Sequence, residues 1–264
     1  MIAPAPAKIN LALVVGARRD DGKHELATVY QRLDLGDRIT VEPAHETTVE
    51  GFADTIVGAA LALLPGTWRV KIEKNTPVAA GLGGGSSDAA TALRLANTQL
   101  PEPLSPTELH TIAANVGADV PFFLADGPQL GTGDGTTLEA LDLPQDFAVL
   151  LLLSNGETKR STADVYAAFD ARDGSAGFDE RVAALRSALA STRRPRDLSA
   201  LPPNDLASSP VARRLLDEGA FRADVSGAGP TVYGLFGSVD DAERARAAVK
   251  SLGRAWVTVP AWYG

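Results

Sequence analysis

The sequence predicts an α+β chain in two parts, and three observations point there. Its 264 residues lie near the roughly 250–300 at which a single hydrophobic core stops growing, so two smaller domains fit as well as one large one. Residues 146–264 read as strand, helices, two strands, helix and strand, the order of a ferredoxin-like unit, whereas residues 1–145 mix strands and helices in another order. Hydrophobic residues make up 45% and charged residues 22%, which is the composition of a chain with a real core. The expected domains are therefore 1–145 and 146–264, with the last strand free to return to the first domain.

The elements follow in order. Residues 9–15 are an apolar run ending at Gly16, two arginines and the turn-like Asp20-Asp21-Gly22, and residues 24–33 extend again, which reads as a hairpin or two neighbouring strands. Residues 37–42 and 68–73 alternate polar and apolar, as half-buried strands do, and residues 55–64 between them are helical in pattern up to Pro65-Gly66. The next helix leaves a glycine-rich segment directly. Ser86, Ser87 and Asp88 suit a helix N-terminus, and Ala89, Ala92, Leu93 and Ala96 recur on one face. Ser105-Pro106-Thr107-Glu108 is a capping box with proline at the first helical position, opening a helix through Val116.

Residues 146–153 contain AVLLLL, the most apolar run, and predict a buried central strand. Polar loops, the basic Arg193-Arg194-Pro195-Arg196 and the breaker Pro202-Pro203 then interrupt helical pieces at 163–169 and 180–190. A helix over 210–218, strands at 223–226 and 231–236, a helix over 241–252 ended by Gly253 and a strand at 255–259 complete the chain. No internal repeat is visible.

Charge and composition narrow the function. Twenty-five Lys plus Arg against 33 Asp plus Glu leave a net charge of −8, which argues against nucleic acid or an acidic membrane as a partner. A polyanionic ligand must then be held by local devices. The chain has no cysteine, so disulfides, thiolate metal sites and thiol nucleophiles are excluded. No metal-ligand cluster is predicted. The start, MIAPAPAKIN, carries no basic segment followed by an apolar run, and no apolar stretch approaches the ~18–20 residues of a membrane span, so a soluble cytoplasmic protein is expected.

The local device for an anion is Pro77-Val78-Ala79-Ala80-Gly81-Leu82-Gly83-Gly84-Gly85-Ser86-Ser87, a flexible loop running into a helix. Unpaired N–H groups and the positive end of the helix dipole together favour phosphate there. It is not a P-loop, for no Gly-Lys-Ser/Thr follows, and Ser86 replaces the third glycine of a dinucleotide fingerprint. Lys8, in Pro6-Ala7-Lys8-Ile9-Asn10, is by itself an ordinary charge, and Asp119, in Gly117-Ala118-Asp119-Val120-Pro121, by itself an ordinary turn residue. Brought together, a lysine holding a carboxylate ionised would orient and partly deprotonate an alcohol. His45 and His110 lie apart from every such segment.

Taken together, PAKINL, PVAAGLGGGSSDA and VSGAGPTVYGLF, in that order, resemble the three motifs of the GHMP kinases. GARRDDGKHELATVYQRLDLGDRI, GADVPFF and Pro203-Asn204-Asp205-Leu206 make the likeness strongest to the branch that phosphorylates 4-diphosphocytidyl-2-C-methyl-D-erythritol at its 2-hydroxyl, in isoprenoid precursor biosynthesis. The resemblance implies a two-domain GHMP kinase fold, with a ribosomal S5 domain 2-like N-terminal domain and a ferredoxin-like C-terminal domain. It implies Lys8 and Asp119 as the catalytic pair, and residues 77–87 wrapped around the phosphates of ATP with a Mg²⁺ between them. It gives the substrate, a cytidine diphosphate sugar-alcohol, Asn10, Lys23, His24, Tyr30 and Tyr166, with His24 on the cytosine edge and both tyrosines lining the cytidine pocket. Gly227, Ala228 and Gly229 would close on the site as the third-motif loop, in a monomer or homodimer. Lys23 stands where the family usually has a tyrosine that stacks on cytosine. Two alternatives stay open: the same chemistry on another small alcohol, such as homoserine or a mevalonate derivative, and a catalytically silent nucleotide-binding relative.

Overall fold

The computed structural model describes residues 1–52, 55–155 and 161–261. Two long strands organise the first part, β1 (Ile2–Arg18) and β2 (His24–Pro43), paired antiparallel almost end to end. Residues 24–33 and 37–42, expected as separate strands, are one continuous strand. β1 also starts earlier than its apolar run. Its prolines Pro4 and Pro6 are tolerated because the outer edge of this half of β1 carries no strand that would need their N–H groups.

The other edge of β2 is shared. Its later half pairs with β4 (Trp68–Glu73), which carries the short parallel β3 (Thr48–Glu50). Its earlier half pairs with β5 (Gln129–Gly133), followed by β6 (Thr137–Ala140). Residues 131–136 are thus the turn and flanks of a hairpin; Gly133 and Gly135 supply its positive φ. Helices α1 (Thr55–Leu61), α2 (Gly84–Asn97) and α3 (Pro106–Val116) pack on this six-stranded sheet. α3 has the predicted capping box, with Ser105 and Glu108 satisfying each other's backbone N–H groups.

The second sheet is antiparallel in the order β10-β7-β9-β8, formed by β7 (Ala148–Ser154), β8 (Arg222–Val225), β9 (Val232–Phe236) and β10 (Gly253–Thr258). In chain order that is 4-1-3-2, the ferredoxin-like arrangement. The helices α4 (Thr162–Asp170), α5 (Phe178–Ser191), α6 (Pro210–Asp217) and α7 (Val239–Ala248) complete it. The AVLLLL run is apolar throughout because β7 is covered on both faces: Val149 and Leu151 join one core cluster, Ala148, Leu150 and Leu152 another.

The sheets divide near residue 145, but the packing does not. One core cluster contains Ile9, Leu11 and Val29 from the first sheet with Val149, Leu151, Tyr233 and Leu235 from the second. Beyond β10 the chain returns to the first sheet, where Asp34 N–H donates to Val259 O at 2.9 Å and Ala261 N–H to Arg32 O at 3.2 Å. Arg193 to Arg196 are not a plain solvated loop. Asp197 takes the N–H groups of Arg193 and Arg194, and a 3-10 helix begins at Pro195.

Candidate active site

β1 carries Lys8 inward with only 4% of its surface exposed. A charge so buried needs partners. Its Nζ donates to Asn10 Oδ1 at 2.7 Å and lies 3.3 Å from Asp119 Oδ2. Asn10 is oriented in turn: its Nδ2 donates to Thr28 Oγ1 at 2.7 Å, and Thr28 donates to Ala12 O at 2.8 Å. Asp119 sits between Gly117, which ends α3, and the 3-10 helix Pro121–Leu124, whose Phe122 and Phe123 are fully buried and anchor the segment. Its carboxylate remains one-third exposed toward a cavity of about 850 Å³.

Tyr30 serves this pair. Its ring stacks on Phe122 at 4.7 Å, and its hydroxyl donates to Asp119 Oδ1 at 3.1 Å. Burial and the neighbouring Asp119 charge push the Tyr30 hydroxyl well above its ordinary pKa, so it stays a donor. Tyr30 also lines the cavity, and in this structure its hydroxyl holds a carboxylate.

The glycine loop forms one wall of the cavity. Gly81, Gly83 and also Ala79 have positive φ. A Cβ on Gly81 would lie 2.7 Å from Ser226 O and 2.8 Å from Gly229 O; one on Gly83 would meet Lys8 Cγ at 2.9 Å. Only glycine allows the loop to touch the third-motif segment and Lys8 at once. α2 begins at Gly84, earlier than Ser86, and its N-cap Gly83 supplies no side-chain cap. Its first-turn N–H groups are left for a ligand, beside the positive end of the dipole. Residues 77–86 line the cavity, whereas Ser87 is fully buried and its hydroxyl has no partner.

Behind the loop, Lys74 Nζ donates to Asp37 Oδ2 at 2.7 Å and to Asp88 Oδ2 at 2.6 Å. Asp37 also takes the N–H groups of Asn75 and Thr76, so it is the better-stabilised anion. Burial pushes Asp88 up to about 7 despite Lys74. Sequence reading missed this trio. Lys74, just past the end of β4, and Asp37, in β2, look like solvated charges until a helix covers them.

The third-motif loop is pinned from outside. Asn204 Nδ2 donates to Val225 O and Gly227 O, Asp205 takes Val15 N–H at 2.8 Å, and Arg181 reaches both Asp205 and Val15 O. Asn204 and Asp205 were singled out as motif residues, but their part in holding β1 to the loop shows only here.

The far end of the cavity is made of side chains. Lys23, which replaces the expected aromatic, is committed to Asp134 of the β5–β6 turn at 2.5 Å. Burial opposes ionisation of Asp134, but the hydrogen bonds from Lys23 and Thr136 outweigh it and hold the carboxyl at about 2. His24 Nε2 lies 2.7 Å from Asp170 Oδ1, and its ring stacks on Tyr166 at 4.6 Å. Burial, with a smaller contribution from Asp119, pushes Tyr166 up to about 12. Asp170 was not foreseen; its spacing of four from Tyr166 on one helix was the available signal. Gly227, Ala228 and Gly229 also line the cavity, while His45 and His110 do not.

The family model described as GHMP kinases N terminal domain matches residues 50–127, and GHMP kinases C terminal matches residues 197–255. The 4-diphosphocytidyl-2-C-methyl-D-erythritol kinase of Desulfitobacterium hafniense (strain Y51) is 38% identical over 96% of this chain and 93% of its own length. The chain belongs to the 4-diphosphocytidyl-2-C-methyl-D-erythritol kinase family of GHMP kinases. The kinase of that name from Syntrophotalea carbinolica (strain DSM 2380 / NBRC 103641 / GraBd1) is 39% identical over 94% of this GHMP kinase and 92% of its own chain. A crystal structure of 4-(cytidine 5'-diphospho)-2C-methyl-D-erythritol kinase superposes with a TM-score of 0.77 at 32% identity, covering 99% of this chain and 100% of that one. A mevalonate kinase at TM-score 0.70 and 13% identity shares the GHMP kinase fold. The protein is thus a small-molecule kinase, a phosphotransferase acting on an alcohol, and ATP is its cosubstrate. Among the described residues no helix is long and apolar enough to cross a membrane.

Proposed function

We propose that this kinase transfers the γ-phosphoryl group of ATP to the 2-hydroxyl of 4-diphosphocytidyl-2-C-methyl-D-erythritol, an isoprenoid precursor. The observation that carries the reading is Asp119, held by Lys8 and Tyr30 and opening into a cavity walled by an uncapped helix N-terminus. Asp119 accepts the acceptor's hydroxyl proton as that oxygen forms its bond to the γ-phosphorus and the bond to ADP breaks. Lys8 keeps Asp119 ionised and offsets the charge that builds on the transferring group. The loop over 77–86 and the first turn of α2 position the phosphates through backbone N–H groups, the device an acidic chain needs.

Mg²⁺ fits as an ion carried by the nucleotide. No cluster of three His, Cys, Asp or Glu side chains forms a cage among the described residues, while the Ser86 hydroxyl and Asp119 carboxylate line the cavity, and Mg²⁺ takes most of its ligands from phosphates and water. Bound there, it would neutralise phosphate charge. Lys8, Asp119, the glycine loop and the third-motif loop line the cavity together with Lys23, His24 and Tyr166, and we place the phosphates against the former and the cytidine against the latter.

Incubation with ATP and Mg²⁺ tests the reading against a panel of acceptors: the cytidine diphosphate sugar-alcohol, homoserine and mevalonate. ADP release with the first alone is expected. Release with another acceptor alone would move the assignment to that alcohol, and release with none would reject the kinase reading.

A further inference from the structure

We propose that Asp170 decides which hydrogen-bonding character His24 shows to the base of the acceptor, and thereby selects cytosine over uracil. The inference rests on the proposed function, in which the cytidine lies at the His24 end of the cavity.

His24 is 8% exposed and forms part of the cavity wall. Its ring is fixed on two sides, stacked on Tyr166 at 4.6 Å and 28° and set edge-on to Phe169 at 6.0 Å and 84°. Its Nε2 is 2.7 Å from Asp170 Oδ1. A carboxylate can only accept, so Nε2 carries the proton of that bond. A neutral imidazole has one N–H, which leaves Nδ1 a bare acceptor. No other side chain or backbone group among the described residues bonds this ring.

The consequence for a pyrimidine follows from donor counting. The polar edge of cytosine has one donor, its exocyclic amino group, beside the acceptors N3 and O2. An acceptor Nδ1 that reads cytosine must therefore read that amino group. Uracil puts a carbonyl oxygen at the same position and would set lone pair against lone pair. A site built for one hydrogen bond discriminates strongly against a ligand that cannot make it, because the buried group is left unpaired. Asp170 itself need not touch the base. It is a positioning residue on α4, four residues beyond Tyr166, so one helix supplies both the stacking surface for His24 and the group that fixes its proton.

Asp170→Asn keeps the shape and changes the logic. The amide can donate to Nε2 as well as accept from it, so the proton is no longer confined to Nε2 and Nδ1 becomes a donor in part of the population. The test has two readouts. The first is ¹⁵N NMR of the ligand-free protein with labelled histidine, in mildly alkaline buffer where imidazoles are neutral. There are three histidines in the chain, and His24→Gln identifies the signals of interest. Wild type is expected to hold His24 in the Nε2–H form and Asp170→Asn to move population toward Nδ1–H; a wild-type Nδ1–H form or an equal mixture overturns the proposal.

The second readout is the ratio of kcat/KM for the cytidine and uridine versions of the diphosphate acceptor. That ratio should fall by roughly tenfold in Asp170→Asn, with the change in KM rather than kcat. Asp170→Glu, which keeps the carboxylate, should retain most of it. A loss of kcat/KM that is equal for both bases, or a ratio unchanged in Asp170→Asn, overturns the proposal by reducing Asp170 to a structural residue. If wild type turns over neither acceptor, the proposed function fails instead, and the NMR result still judges the tautomer.

Discussion

The two ends of the cavity are built differently. At the phosphate end the parts are backbone and deeply buried side chains: the glycine loop, the uncapped α2, and Lys8 locked by Asn10 and Asp119. At the base end they are side chains from three separate segments, joined by ion pairs near the surface, with Lys23 and Asp170 both about half exposed. Phosphoryl transfer needs fixed positions and charge compensation, which a rigid backbone supplies. Base recognition needs a particular pattern of donors and acceptors, which side chains supply and can alter without disturbing the chemistry.

The contrast can be broken at its strongest point first. Asp119→Asn should lower kcat by about 10³ while ATP binding, followed by calorimetry, stays within a few-fold of wild type. A small change in kcat would remove Asp119 from the chemistry. Gly81→Ala probes the backbone. Its φ of +79° and the carbonyls at 2.7 and 2.8 Å leave no room for a methyl group, so denaturant unfolding should show a loss of about 2 kcal/mol together with weaker ATP binding. Unchanged stability would mean that the loop and third-motif segment are not locked together.

Lys23→Ala should do least, costing below about 1 kcal/mol in stability and raising KM for the acceptor without changing kcat, since an exposed pair contributes little. Its pH signature sharpens the contrast. Asp134 is held at about 2, below its unfolded value, so the stability it contributes is present above roughly pH 4 and is lost as pH falls through about 2. The wild-type advantage over Lys23→Ala should disappear across that window. A pH-independent difference would mean that the lysine acts through packing.

The same contrast governs what was legible in the chain. The phosphate loop could be read because backbone devices leave composition marks: glycines where φ is positive, then a helix with small residues in its first turn. The α3 capping box and the β7 run were legible for the same reason, since caps and burial act on neighbours in sequence. Sequence reading found Lys8 and Asp119 through motif likeness, although nothing in their own segments says that they meet. The single strand over 24–43 was hidden because Leu35-Gly36 looks like a turn until β1 is seen to pair along both halves. The bond from Tyr30 to Asp119 was not legible, because a tyrosine in a strand signals burial or stacking and not which carboxylate its hydroxyl will reach.

By itself the sequence determined the α+β class, the absence of thiol chemistry and the place of the glycine loop that we propose as the local anion device. These depend on composition and on interactions within a few residues. Only the tertiary structure decided that Asp119 is shared by Lys8 and Tyr30, that Lys23 is tied to Asp134, and that Asp170 lies against His24 Nε2. Those contacts join residues 89 to 146 positions apart. Chain folding alone brings such groups within hydrogen-bond distance, because no local periodicity encodes which distant side chain will answer a given charge.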